Sequence, residues 1–230
     1  MQIDRRRLEE ELQRFERYRI DSSRIVNHDV ILGTGGFGSV ERGALQPDLT
    51  TFVAIKRLHS LDVSMNLTVA VRLVREMAVW AELCHANIVK FLGFYLSDTY
   101  DVACLILDYA QYGPITSYLS KTEANDTRRL ELVLHTIEGL KYLHCSDPAI
   151  YHGDLKASNI LVNGQGHAVL CDLGLAKALS PDHSGYTTSD IFKGSHRWCS
   201  PEVLNGKPRS LESDIWSWAC SVLEVRATIY

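Results

Sequence analysis

The hydrophobic positions of this 230-residue chain change period several times, and each change marks an element. Leu8, Leu12 and Phe15 recur at helical spacing among dense mixed charge that includes Arg5, Arg6, Arg7, Glu9, Glu10 and Glu11, so residues 1–24 read as a charged amphipathic helix and leader. Such a helix suits docking to a partner or a membrane surface, or packing a thin apolar stripe on the first lobe, and its balance of acids and bases favours the second. From residue 27 to about 58 the pattern becomes β. Val30, Ile31 and Leu32, then Val40, then Phe52, Val53, Ala54 and Ile55, separated by glycines and Pro47, predict three antiparallel strands. Residues 67–83 predict a helix with Val71, Val74 and Ala78 on one face and Glu76 on another, and apolar runs at 89–96 and 102–107 complete a small sheet.

After Gly113 and Pro114 helical spacing takes over. Asp126 is the expected N-cap of a helix over 127–144, in which Leu130, Val133, Leu134, Ile137 and Leu140 make a broad apolar stripe. Apolar runs at 160–162 and 168–171, around Asn163, Gly164, Gln165 and Gly166, predict two buried strands and a turn. Residues 215–225 are apolar nearly all round, which predicts a buried helix. The sequence shows no internal repeat and no low-complexity linker.

Composition adds limits. With 46% hydrophobic and 23% charged residues, the chain has material for one sizeable core or two smaller lobes, and neither disorder nor a fibre is indicated. A formal charge of -4 argues against nucleic acid as partner. A nucleotide stays open, since backbone N–H groups, one lysine and a metal can meet its phosphates locally. Cys84, Cys104, Cys145, Cys171, Cys199 and Cys220 show neither CxxC pairs nor metal spacing, so reduced thiols and a cytoplasmic setting are expected. No apolar run approaches the ~18 residues of a membrane span, and the N-terminus lacks the apolar stretch of a signal peptide.

The chemistry concentrates in residues 152–159, HGDLKASN, followed after the hairpin by Asp172, Leu173 and Gly174. Asp154 is placed to accept a hydroxyl proton and Lys156 to sit beside a transferring phosphoryl group, while Asn159 and Asp172 offer oxygens to Mg²⁺. The hairpin between them would hold both metal ligands side by side. Gly33, Gly35 and Gly38 form GxGxxG, a weak signal that a plain hairpin or a dinucleotide loop would share. The dinucleotide form needs a helix starting at the glycines. Ser39, Val40 and Glu41 continue as a strand, which favours a loop over nucleotide phosphates. Lys56 ends the apolar run Val53, Ala54, Ile55, where a charge needs a partner, and Glu76, followed by Met77, Ala78, Val79 and Trp80, is the expected one.

On these residues the chain resembles eukaryotic-type protein kinases from about 27 to 225. The glycine loop GTGGFGSV, VAIK ending at Lys56, Glu76, HGDLKASN, DLG and SPE at 200–202 follow one another in the family's order. The lysine of DLKASN and the pair Arg197, Trp198 are most similar to the tyrosine-kinase-like branch of Ser/Thr kinases. The resemblance implies an α+β, bilobal fold: an N-lobe over about 25–109 with a small antiparallel β-sheet and one helix, and a mainly α-helical, incomplete C-lobe over about 110–230. It implies ATP- and Mg²⁺-dependent transfer of the γ-phosphate to Ser/Thr hydroxyls of protein substrates. Asp154, Lys156, Lys56 and Glu76 would be catalytic, and Asn159 and Asp172 the metal ligands. ATP would lie against Leu32, Gly33, Thr34, Gly35, Gly36, Phe37, Gly38, Val40, Ala54, Lys56, Leu107 and Leu161, with Asp108, Tyr109 and Ala110 as the hinge to adenine. Ser195 matches a position whose hydroxyl touches the catalytic aspartate and lysine.

The pattern also departs. Gly153 stands where the family usually has an arginine that meets an activation-loop phosphate, so activity is expected not to be switched mainly by phosphorylation of Ser184, Thr187, Thr188 or Ser189. Leu173 replaces the phenylalanine of DFG and keeps apolar packing. HGDxxxxN is shared with small-molecule phosphotransferases resembling aminoglycoside and choline kinases, which generally lack the VAIK strand, the DxG motif and the APE-like segment found here. The sequence ends at Tyr230, before the later helices that bury the family's equivalent of the Asp214, Trp216, Trp218 helix. Two tryptophans short of ~200 Å² of cover each would leave a deficit on the order of 10 kcal/mol. The expectation is a chain that is poorly stable alone, is covered by a partner, or is a shortened form; a scaffold without turnover is the alternative class.

Overall fold

In the computed structural model, which describes residues 5–35, 38–58, 67–179 and 195–227, contacts group the chain into two units, Met1–Leu83 with Lys90–Tyr109, and Cys84–Val89 with Ala110–Tyr230. The first unit opens with α1 (Arg5–Arg14), whose Leu8 and Leu12 are buried. Five strands come next, with one helix between the third and fourth: β1 (Ile25–Gly35), β2 (Gly38–Leu45), β3 (Phe52–Leu58), α2 (Leu67–Trp80), β4 (Phe91–Leu96) and β5 (Ala103–Asp108). They form one antiparallel sheet in the order β1-β2-β3-β5-β4. Every residue of β5 except Asp108 is buried, as its unbroken apolar run requires.

Two expectations fail in this unit. Ala78, read on the apolar face of α2 with Val71 and Val74, is exposed, while Glu76 is buried, as its anticipated pairing with Lys56 requires. The reason for that burial is electrostatic, because β3 brings Lys56 to the Glu76 carboxylate and a paired charge tolerates burial. The strand predicted over 89–96 begins at Phe91, since Val89 donates its N–H to Leu170 O within the second unit.

The second unit contains β6 (Gly113–Pro114), α3 (Ile115–Thr122), α4 (Asp126–His144), β7 (Ile150–Tyr151), β8 (Ile160–Val162), β9 (Ala168–Leu170), β10 (Lys177–Ala178), α5 (Pro201–Leu204) and α6 (Leu211–Ala227). β8 and β9 form the anticipated hairpin, with β6 on the outer side of β8 and β10 paired to β7. Asn125, not Asp126, caps α4, its side chain accepting from Arg128 N. The buried face of α4 runs through Arg129, Leu132, Thr136, Gly139, Leu140 and Leu143, while Leu130 and Leu134 of the anticipated stripe are exposed. The glycine belongs on that face because a Cβ at Gly139 would stand 2.7 Å from Asn87 O.

The reading of 215–225 as a helix buried all round also fails. Ile215, Trp216 and Leu223 are exposed, and the buried residues of α6 are Ser213, Asp214, Ser221 and Val225. Trp218 is half-buried and donates Nε1–H to Thr136 Oγ1 of α4 at 2.9 Å. Small and polar residues line the inner face of α6 because that face meets the backbone of the loop at 152–157, which needs hydrogen-bond acceptors rather than bulk. Among the described residues no helix is long and apolar enough to cross a membrane.

Candidate active site

Strand register gathers part of the candidate set in the first unit. Val40 stands opposite Lys56, and Ala54 opposite Leu107, so these side chains share one face of the sheet. Lys56 Nζ lies 2.8 Å from Glu76 Oε2, with both side chains at 6% exposure or less. Arg72 Nε, one helical turn earlier, is 3.2 Å from Glu76 Oε1. One carboxylate therefore serves two cations, which fixes where the ammonium points more than it stabilises the fold. Gly33, Thr34 and Gly35 pair with Val40, Ser39 and Gly38 as a β-hairpin, so a strand follows the glycines and the dinucleotide reading is excluded. Gly38 has φ +142, and a Cβ there would fall 1.9 Å from Arg57 O. Leu32 is exposed on β1, and Gly36 and Phe37 lie outside the described residues. At the expected hinge residues, Asp108 N donates to Lys90 O and Tyr109 N to Asp108 Oδ1, while Ala110 O accepts from Gly113 N at 3.0 Å.

In the second unit the loop at 152–159 is held from two directions. Asp214 on α6 accepts the backbone N–H of His152 at 2.5 Å on Oδ2 and that of Gly153 at 2.9 Å on Oδ1. His144 Nε2, at the end of α4, is 3.1 Å from the same Oδ2. The fully buried imidazole of His152 accepts from Asp154 N at Nδ1 (3.3 Å) and meets Cys171 O through Nε2 (3.0 Å), so the ring is the neutral Nε2–H tautomer. That ring ties the loop to the residue before Asp172.

Within the loop Lys156 Nζ is 2.9 Å from Asp154 Oδ2 and donates to Ser195 Oγ at 2.7 Å. Ser195 meets Asp154 through its backbone N–H (3.2 Å), not through the anticipated hydroxyl, because the tight turn at His196–Trp198 starts there. Asn159 Nδ2 donates to Asp154 O at 2.7 Å and to Oδ2 at 3.1 Å. Cys171 N donates to Asn159 O at 3.0 Å, which sets Asn159 beside the residue preceding Asp172. Asp172 has φ 61, a left-handed conformation that costs an L-residue roughly 1–2 kcal/mol and is met at functional sites. Burial pushes the Cys199 thiol up, with Arg209 pulling it down and Asp154 adding to the rise, so it stands beside the site as a neutral thiol. Leu161 is half-buried on β8.

The residues suit Mg²⁺. The Asn159 amide directs its donors at Asp154, so what it offers a cation is its oxygen, and Asp172 adds a carboxylate. One amide and one carboxylate match an ion that keeps most of its shell as water and phosphate. Among the described residues no group of three or more His, Cys, Asp or Glu is arranged to hold a metal.

Sequence reading named Asp214 only as part of an apolar helix and passed over Glu224. Glu224 Oε2 accepts from Ala157 N at 2.9 Å and from Trp198 Nε1 at 2.8 Å, so α6 steadies both the loop and the turn after Ser195. The available signal was an acid inside an apolar helix, which requires buried donors. Gly153 has φ +80, and a Cβ there would lie 2.8 Å from Leu175 O. Gly153→Ala is therefore expected to destabilise the protein by about 1–3 kcal/mol, checked as a lower midpoint in urea with the same slope. The positions Ser184, Thr187, Thr188 and Ser189 lie outside the described residues.

The family model for the protein kinase domain matches residues 26–229. The chain is 33% identical to a G-type lectin S-receptor-like serine/threonine-protein kinase, SD2-2, of Arabidopsis thaliana, covering 84% of this chain and 24% of that protein. It is 35% identical to mitogen-activated protein kinase kinase kinase 1a of Physcomitrium patens, over 84% and 24%. It is 34% identical to the tyrosine-protein kinase hopscotch of Drosophila melanogaster, over 87% and 17%. The chain thus spans about a quarter or less of the length of these relatives.

Proposed function

Because the chain belongs to the protein kinase family, we propose that it transfers the γ-phosphoryl group of ATP to serine and threonine hydroxyls of protein substrates. The observation that carries this reading is Asp154 held by Lys156, Ser195 N–H and Asn159 at once. The substrate hydroxyl oxygen attacks the γ-phosphorus, its proton goes to the Asp154 carboxylate, and the bond to the β-γ bridging oxygen breaks to release ADP. Lys156 carries positive charge beside that carboxylate and offsets negative charge on the transferring group. Lys56, aimed by Glu76, meets the α- and β-phosphates. Asn159 and Asp172 would hold Mg²⁺, which supplies charge neutralisation along the phosphates. Ala110 O accepts from Gly113 N, and Ala110 offers adenine its own backbone N–H.

Serine/threonine specificity is supported by the Lys156–Ser195 contact at 2.7 Å and by the name of the S-receptor-like relative, a serine/threonine-protein kinase, against one relative named as a tyrosine kinase. Incubating the purified chain with ATP, Mg²⁺ and a generic protein substrate, then identifying the phosphoamino acid, tests it. Phosphoserine or phosphothreonine is expected; phosphotyrosine alone would overturn it. Gly153 supports a site that works without loop phosphorylation, and quadruple Ala replacement of Ser184, Thr187, Thr188 and Ser189 should leave most activity.

Nucleotide binding has its own readout. With ATP at 100 times its dissociation constant, Mg²⁺-ATP is expected to stabilise the chain by ~2.7 kcal/mol, a rise of roughly 5–10 °C in melting temperature. In Lys56→Met most of that rise should vanish. An undiminished rise would remove Lys56 from the phosphate site.

A further inference from the structure

Residues 5–24 precede the stretch matched by the kinase family model, 26–229, yet four of their side chains belong to the interior of the first unit. Leu8, Leu12, Phe15 and Ile20 are 0%, 4%, 7% and 8% exposed. α1 packs on α2. Beyond it, Tyr18 donates its hydroxyl to Ala81 O at 3.0 Å, and Arg17 meets Glu82 at 2.6 Å, both just past the end of α2. Ile20 N donates to Phe94 O at 2.8 Å along the outer side of β4, the sheet's last strand. Ile20 itself joins the core cluster with Val53, Ile55, Cys104 and Ile106.

The outward face of α1 asks for no further partner. Arg5 is paired with Glu9, Arg6 with Glu10 and Arg14 with Glu11, all on the same helix. The inward face, by contrast, completes α2. Nine of the 14 residues of α2 are buried, more than a helix lying on a sheet by one stripe would show. β3 and β5 take one side and α1 another. Take α1 away and α2 faces water with an apolar surface, while its inner face still carries Glu76.

We propose that residues 5–24 are a positioning segment for the Lys56–Glu76 pair: by clamping α2 along its side and at its C-terminal end, they hold Glu76 at the 2.8 Å contact with Lys56. The catalytic consequence rests on the kinase reading; the structural one does not.

The test compares the full chain with a Leu8→Asp/Leu12→Asp double variant, a Leu8→Met/Leu12→Met counterpart and an Arg6→Ala control on the outward face. Hydrogen–deuterium exchange is read for α2 against β3 and β5. In the Asp pair, exchange in α2 should rise by about tenfold or more, the change expected when an undocked minor state becomes well populated, while β3 and β5 keep their protection. The Met pair and Arg6→Ala should match the unaltered chain. Unchanged exchange in α2 would overturn the proposal. Leu12→Ala, a gentler cut, applies the same criterion if the Asp pair does not fold, and equal loss of protection across α2, β3 and β5 in Leu12→Ala would overturn it too, since that marks mere structural support. Phosphate transfer is then measured: a fall in kcat that tracks α2 exchange supports the proposal, and full activity with α2 loosened contradicts it. Because exchange needs no turnover, an inactive unaltered chain whose α2 still responds as expected would sink the kinase reading while upholding the positioning role.

Discussion

Asp154→Asn is expected to lower kcat by about 10²–10⁴-fold with little change in KM for ATP. The asparagine keeps the size of the side chain and one oxygen for Ser195 N or Lys156, so the loop stays in place, but it cannot take up a proton. Of the three groups among the described residues that touch the Asp154 carboxylate, Lys156 Nζ at 2.9 Å, Asn159 Nδ2 at 3.1 Å and Ser195 N at 3.2 Å, an amide oxygen serves only some, and the stability cost should stay near 1–2 kcal/mol. The loss in kcat corresponds to roughly 3–5 kcal/mol of transition-state stabilisation. Steady-state kinetics alongside a thermal melt separates the two effects. A proportional rise in KM for ATP would mean that Asp154 binds nucleotide instead of acting on the hydroxyl.

Asp214→Ala is expected to cost about 3–5 kcal/mol of stability and most of the activity with it. The substitution removes the acceptor for the N–H groups of His152 and Gly153 and the partner of His144, in a site 1% exposed to water. Each buried donor left without a partner costs about 1–3 kcal/mol, and no other acceptor among the described residues is placed to replace the lost one. For a chain of this length the melting temperature should fall by roughly 6–20 °C. Asp214→Asn, which keeps one acceptor but brings an NH₂ toward a backbone N–H, should fall between. A melt indistinguishable from the unaltered chain would show that the loop at 152–159 does not depend on α6.

Much of this was legible in the sequence, for a physical reason. Strands such as Phe52–Leu58 and the hairpin from Ile160 to Leu170 are short apolar runs bounded by turn residues, and local pattern decides them. Lys56, Glu76, Asp154 and Asn159 were legible because phosphoryl transfer requires those groups in that order. What local pattern could not give is which face of a helix turns inward. The apolar stripe of α4 suggested Leu130 and Leu134, but the neighbours of α4 are the β9 strand and α6, and these select Leu132, Thr136 and Gly139 instead. Ala78 was misread for the same reason: it was placed with Val71 and Val74 on the apolar face of α2, and it is exposed. The inner face of α6 was unreadable because small serines lie there with Asp214, which is bound to backbone N–H groups that only the folded loop presents.

The most direct measurement is incorporation of γ-labelled phosphate from Mg²⁺-ATP into a protein substrate by the purified chain, beside Asp154→Asn protein shown to melt within a few degrees of it. Label on serine or threonine that grows with the amount of unaltered chain and falls by at least about 100-fold in Asp154→Asn is the expected result. Equal incorporation by the two proteins would contradict the assignment of Asp154 as the base and of the chain as a working kinase.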